Sequence, residues 1–194
     1  MKKWIVRLLA IVLLMLPAIV FVWYSTSFLP YLSGIKRFVA KGDQKIQPIY
    51  QSIYPLAVAG ETEEGIRTHA IRQAYWSLVY SKKKQGMGSW HLNTMLWYFA
   101  SYIHLTDQEV FGLWVNCAGF ECDKGLSEAS KVYYGKSLSE LSLQEQAGLV
   151  ALLRGPSRYK VGSDRSINRI KEILDKAGAH NKANSADTKS RAAD

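Results

Sequence analysis

Apolar residues run almost unbroken from Trp4 to Tyr24, with Arg7 the one charge among them. At 1.5 Å per residue, a helix of this length reaches across the ~30 Å hydrocarbon layer of a bilayer. From Phe28 to Tyr54 the pattern changes to aromatic residues mixed with basic ones, broken at Pro30 and Pro48. That juxtamembrane stretch is expected to lie along a membrane surface. Beyond it the apolar spacing is helical. Ile66, Ile71, Ala74, Tyr75 and Leu78 share one face of a helix over Gly65–Tyr80, and SKKKQGMGS breaks it. Trp90–Tyr102 is apolar enough to predict a buried helix, yet too short, with His91 and Asn93 inside it, for a second span.

Four helix starts or stops are written locally. Thr106 with Glu109 forms a capping box before VFGLWV, and Ser142 with Glu145 another before LQEQAGLVALL. Gly135 ends a short helix over Leu126–Tyr134, and Gly155-Pro156 stops the one after it. Ser166–Ala177 is amphipathic through Ile167, Ile170, Ile173 and Leu174. Strand-type alternation is scarce, so the expected fold is all-α with one N-terminal transmembrane helix. The divisions are a membrane anchor over 1–28, a juxtamembrane segment over 29–54, a domain over 55–178 and a disordered tail over 179–194.

Charge refines this picture. Lys2, Lys3 and Arg7 precede or begin the apolar run and place the N-terminus in the cytoplasm, with the domain periplasmic or otherwise outside. A cleaved signal peptide is the rival, but its apolar stretch is shorter and ends at a small-x-small site; Ser25-Thr26-Ser27 matches that only weakly. The formal net charge of +9 is divided among several clusters, Lys82–Lys84 included. For an exported domain it speaks for anionic lipid headgroups rather than nucleic acid. Cys117 and Cys122, in CAGFEC, do not have the two-residue spacing of common zinc and redox motifs. In an oxidising compartment they are a candidate local disulfide. His69, His91 and His104 show no metal-ligand spacing, and no cofactor is called for, though a divalent metal stays open.

From Gly125 the run GLSEASKVYYGKSLSELSLQEQAGLVALLRGPSRY resembles the C-terminal half of the peptidoglycan glycosyltransferase domain, family 51, of penicillin-binding proteins and monofunctional transglycosylases. The likeness is carried by Gly125, Ala129, Tyr133, Gly135 and Lys136, then by Leu141, Leu143, Glu145, Ala147, Pro156, Ser157 and Tyr159. Upstream, QEVFGLWVN resembles the helix the family writes Glu-Ile-Leu-Glu-x-Tyr-Leu-Asn. The family's Glu-Asp-x-x-Phe-x-x-His-x-Gly is reduced here to ETEEGIRTH, with one extra residue between Glu61 and His69. Its Gly-Gly-Ser-Thr motif survives only as Gly88-Ser89, and its Arg-Lys-x-x-Glu is not found: HLNTMLWYFASYIHL stands there without acid, Arg or Lys.

The resemblance implies a lysozyme-like domain that transfers lipid-linked disaccharide to a glycan strand. That chemistry needs a carboxylate to take a sugar hydroxyl's proton, and cations against the departing diphosphate. It points to Glu61 as the base, with Glu63 and Glu64 as alternatives, and to Ser89, Lys136 and Glu145 as substrate-binding residues. The three glutamates read equally as an acidic first turn of a helix. The competing expectation is a catalytically degenerate relative that binds lipid-linked precursor, peptidoglycan or a cell-wall synthase. Partners on either view are the membrane and cell-wall material.

Overall fold

The protein was analysed as a computed structural model that describes residues 2–83, 85–119 and 122–191; the side chains of 2–3, 5–12, 14, 48 and 179–191 lie outside the described residues. Every regular element among the described residues is helical, without a strand. Helix α1 covers Lys2–Ser27, with Pro17 inside it, and α2 covers Leu29–Ile46. A 3₁₀ turn at Gln47–Ile49 leads into α3, Tyr50–Glu61, which is followed by α4, Glu63–Leu78. A second 3₁₀ turn, Tyr80–Lys82, precedes α5, Met87–His104, and then α6, Asp107–Cys117. Helices α7, Gly125–Tyr134, α8, Leu143–Arg154, and α9, Asp164–Arg191, complete the chain.

Helix α6 is the central element: every residue from Val110 to Cys117 is buried, and α2, α4 and α7 pack around it. Its partner α2 crosses at Gly42 over Gly112, where a Cβ on Gly42 would run into the Gly112 carbonyl. Two bare Cα positions therefore let the backbones approach. Around this crossing lie Trp97, Trp114, Tyr75, Phe28 and Phe111, the largest fully buried side chains. Edge-to-face rings tie them together, Phe28 on Trp97 at 5.3 Å and Tyr75 on Trp97 at 5.1 Å between centroids. A second packing unit sets α3 against α8 and α9. Arg67 of α4, deeply buried, is satisfied: it donates to Ser101 at 3.1 Å and to Asp107 at 2.6 Å, and lies over the Tyr102 ring.

Both capping boxes form as expected, and Gly135 ends α7 in the left-handed conformation. The first helices differ from expectation. Phe28, Ile35, Phe38, Val39, Ile46 and Ile53 belong to the core, so α2 packs as part of the globular body rather than lying apart from it. Pro30, expected as a break, stands in the first turn of α2, where a missing N–H costs nothing and the fixed φ favours the helix. Helix α5 is also only half the buried helix expected: Trp97, Ala100 and Ser101 are buried, while Leu92, Met95, Phe99 and Ile103 are exposed.

Among the described residues no single helix is long and apolar enough to cross a membrane; Met15–Ser27 with Leu29–Ile46, bent by 51°, passes only as a pair, by length and composition. Within the expected span, Trp4–Tyr24, the side chains of 5–12 and 14 lie outside the described residues. The expected tail falls in the continuation of α9 as far as Arg191, and residues 192–194 lie outside the described residues.

Candidate functional site

The junction of α3 with α4 builds the site. Helix α3 ends at Glu61 and α4 begins at Glu63, so Thr62 alone makes the turn, at φ 66° and ψ 160°. That backbone region is nearly reserved for glycine and costs about 1–3 kcal/mol in other residues. Two sets of contacts hold it. The Thr62 hydroxyl accepts from the Gly65 N–H at 3.1 Å, capping α4. Just before it, the Gly60 carbonyl accepts from Arg154 Nη1 at 3.0 Å and from Arg169 Nη2 at 2.7 Å. Cations against the carbonyls that end α3 are electrostatically favoured there.

The turn separates three neighbouring glutamates. Glu63 and Glu64 stand exposed on the first turn of α4, where negative charge suits the helix N-terminus. Glu63 accepts a hydrogen bond from Tyr54 at 3.2 Å; burial, with Glu63 adding to it, pushes the Tyr54 hydroxyl up to about 12. Glu61 instead turns inward, its side chain 7% exposed, with His69 beside it at 13%. His69 Nδ1 lies 3.2 Å from Glu61 Oε2. An ionised carboxylate only accepts, so the ring donates from Nδ1. Glu61 Oε1 is buried and, among the described residues, has no hydrogen-bond partner. Such an oxygen is costly to leave bare and is characteristic of a working site.

Oε1 belongs to a residue that lines a cleft of about 630 Å³, within the usual range for ligand pockets. Glu64, Thr68, His69, Arg72 and Gln73 from α4 form one wall. Tyr98 from α5, Gly119 from the loop after α6, and Leu153 with Arg154 from the end of α8 form the rest. Arg72 and Arg154 bring two permanent cations to the cleft that holds Glu61. The arrangement can withdraw a proton at one oxygen and attract an anion nearby.

The sequence-derived residues do not all converge here. Glu61 and Glu64 line the cleft; Glu63, Ser89, Lys136 and Glu145 do not. Ser89 is exposed on the first turn of α5, where Asn93 Nδ2 donates to its carbonyl at 2.9 Å. Lys136 and Glu145 pair with each other at 2.6 Å. That hydrogen bond from Lys136, together with the capping bond to the Ser142 N–H, holds the Glu145 carboxyl down at about 2. Both residues fasten the start of α8 to the end of α7. Cys117 and Cys122 are bridged, with Cα atoms 4.0 Å apart, and Gly119 within that loop reaches the cleft. Among the described residues no three His, Cys, Asp or Glu side chains gather as metal ligands would.

Arg72 and Arg154 are the residues that sequence reasoning missed. Arg72 was legible as one of a polar stripe, Gly65, Thr68, His69, Arg72 and Gln73, opposite the apolar face of α4. Arg154 carried no local signal, since its approach to the Gly60 carbonyl depends on α8 packing against α3.

Residues 91–178 match the family model described as Transglycosylase, a stretch that begins in α5 and leaves Glu61 outside it. Penicillin-binding protein 1A of Pseudomonas aeruginosa is 39% identical over 75 residues, which is 37% of this chain and 9% of that protein. Penicillin-binding protein 1A of Clostridium tetani is 38% identical over 63 residues, 29% of this chain and 8% of that protein. The matched regions thus cover less than a tenth of the length of these relatives. No solved structure matches the chain.

Proposed function

Residues 91–178 form a divergent peptidoglycan glycosyltransferase domain, and from that premise we propose that the protein, anchored by α1 with its domain outside the cytoplasm, transfers lipid-linked disaccharide to glycan strands with Glu61 as its base. One observation carries this reading above the rest. Glu61 is the inward-turned carboxylate of a cleft that also holds Arg72 and Arg154, with one oxygen oriented by His69 and the other free. In the proposed step, the hydroxyl of the acceptor sugar gives its proton to Oε1 while its oxygen bonds to the anomeric carbon of the donor. The bond from that carbon to the lipid diphosphate breaks, and the diphosphate leaves with the electron pair. Arg72 and Arg154 attract the charge that gathers there. The His69 N–H donates to Oε2 and fixes the rotation of the carboxyl group. A lysozyme-like arrangement of the helices belongs to the same proposal.

The second reading is a relative that binds lipid-linked precursor, glycan or a cell-wall synthase without turning substrate over. It is favoured by α5, which stands where the family carries Arg-Lys-x-x-Glu and has neither acid nor Lys or Arg. Purified full-length protein incubated with labelled lipid-linked disaccharide separates the two. Polymer that disappears in Glu61→Gln supports the transferase. Binding without polymer in the unmodified protein rejects it and leaves the non-enzymatic module.

A further inference from the structure

One face of helix α5 is mostly exposed, with Tyr102 at its edge lying under the Arg67 guanidinium and sharing a hydrogen bond with Tyr98. From Met87 to His104 it contains no Asp, Glu, Lys or Arg. Its inner side is held by Trp97, Ala100 and Ser101. At 100° per residue, Leu92, Met95, Phe99, Tyr102 and Ile103 fall within one arc of about 100°. All five are exposed, at 54, 50, 58, 52 and 77%. A continuous apolar stripe on a water-facing helix marks a contact surface.

We infer that this stripe seats in the headgroup–acyl boundary of a lipid bilayer, with α5 lying in the membrane plane. The inference rests on the reading of α1 as the anchor. Continuity with α1 is its main support. Leu16, Ile19, Phe21 and Val22 of α1 are 60–67% exposed, so the apolar surface of α1 runs up to the place where α5 crosses its end. There Trp23 Nε1 donates to Asn93 Oδ1 at 2.8 Å, and the Tyr24 hydroxyl meets His104 Nε2 at 2.5 Å. Trp and Tyr at that junction suit the interfacial level of a bilayer. Lys82 and Lys83, exposed just before α5, suit anionic headgroups. A protein partner is the poorer fit: specific protein interfaces carry roughly one hydrogen bond per 100–200 Å², and the five-residue stripe offers a single hydroxyl, on Tyr102. Tyr98, next to Phe99, lines the Glu61 cleft. Seating α5 therefore brings the rim of that cleft to the lipid surface.

Spin labels on the full chain, reconstituted in vesicles containing anionic lipid, test this. The labelled variants are Phe99→Cys on the stripe, Phe21→Cys on α1 and Val132→Cys on the exposed side of α7, with Ile103→Cys as a second stripe position should Phe99→Cys fold poorly. The ratio of oxygen to nickel-chelate accessibility is expected to be several-fold higher at 99 and 21 than at 132. A lipid signature at 21 with a water signature at 99 overturns the inference and leaves the anchor standing. Water signatures at both overturn both. Shielding from both reagents at 99 means that protein covers the stripe, which also overturns the inference.

Discussion

Glu61 is one carboxyl group with two unlike oxygens, one held by His69 Nδ1 and one without a partner. If it is the base, Glu61→Gln lowers polymer formation by ~10²–10⁴-fold while the fold survives, read by initial rates beside circular dichroism. His69→Ala acts through Glu61 and not on the substrate. Its expected signature is a lower kcat with KM retained, because the carboxyl group loses the contact that fixes its rotation. Thr62 is a further residue whose cost is local. Thr62→Gly relieves the left-handed strain and loses only a few tenths of a kcal/mol of capping, so it is expected to raise stability by about 1 kcal/mol by thermal unfolding. Polymerisation should fall in the same variant, because the turn that aims Glu61 is looser. Glu145 makes a pH prediction of different character. Its carboxyl, bonded by Lys136, sits at about 2 rather than the ordinary 4.5. A folded value below the unfolded one stabilises the protein above the ordinary carboxylate range, and the contribution is lost as pH falls toward about 2. Lys136→Met should move the Glu145 titration up toward its ordinary value by carbon NMR, leaving the Glu61 cleft unaltered.

At the level of elements, α2 against α6 is the tightest joint. Gly42→Ala forces a methyl into the Gly112 carbonyl and is expected to cost about 1–3 kcal/mol in chemical unfolding. Elements whose signals are local were legible in the sequence: the Thr106–Glu109 and Ser142–Glu145 boxes and the Gly135 stop are where their residue types put them. Helix α2 was not, because Lys36, Arg37, Lys41 and Lys45 dilute its apolar face. Those cations are largely accounted for by partners distant in sequence: Lys36 bonds Glu109, Lys41 bonds Asp123, and Lys45 bonds Asn116. The site was legible in the same proportion. Glu61 and His69 stood out as acid and imidazole near each other, whereas the turn that turns Glu61 inward is set by Arg154 and Arg169 reaching Gly60 from 94 and 109 residues away.

For the whole molecule, the Cys117–Cys122 bridge closes a loop that carries Gly119 to the cleft wall. A chain-entropy estimate for so short a loop is about 2 kcal/mol, so the double variant Cys117→Ser, Cys122→Ser should melt lower and bind substrate less tightly. The join between α1 and the globular part has the widest consequence. No slack chain separates them: Phe28 is fully buried, the Trp97 indole donates to the Ser27 carbonyl at 2.9 Å, and Trp23 and Tyr24 bond into α5. With α1 in a bilayer, as proposed, the globular part stands on a pedestal rather than swinging on a leash. Its cleft would keep one height and one heading over the lipid, so strands and partners must travel to it, and its reach is set by their flexibility. A glycine-serine spacer placed after Ser27 should restore the swing, seen as a broadened range of label-to-membrane distances.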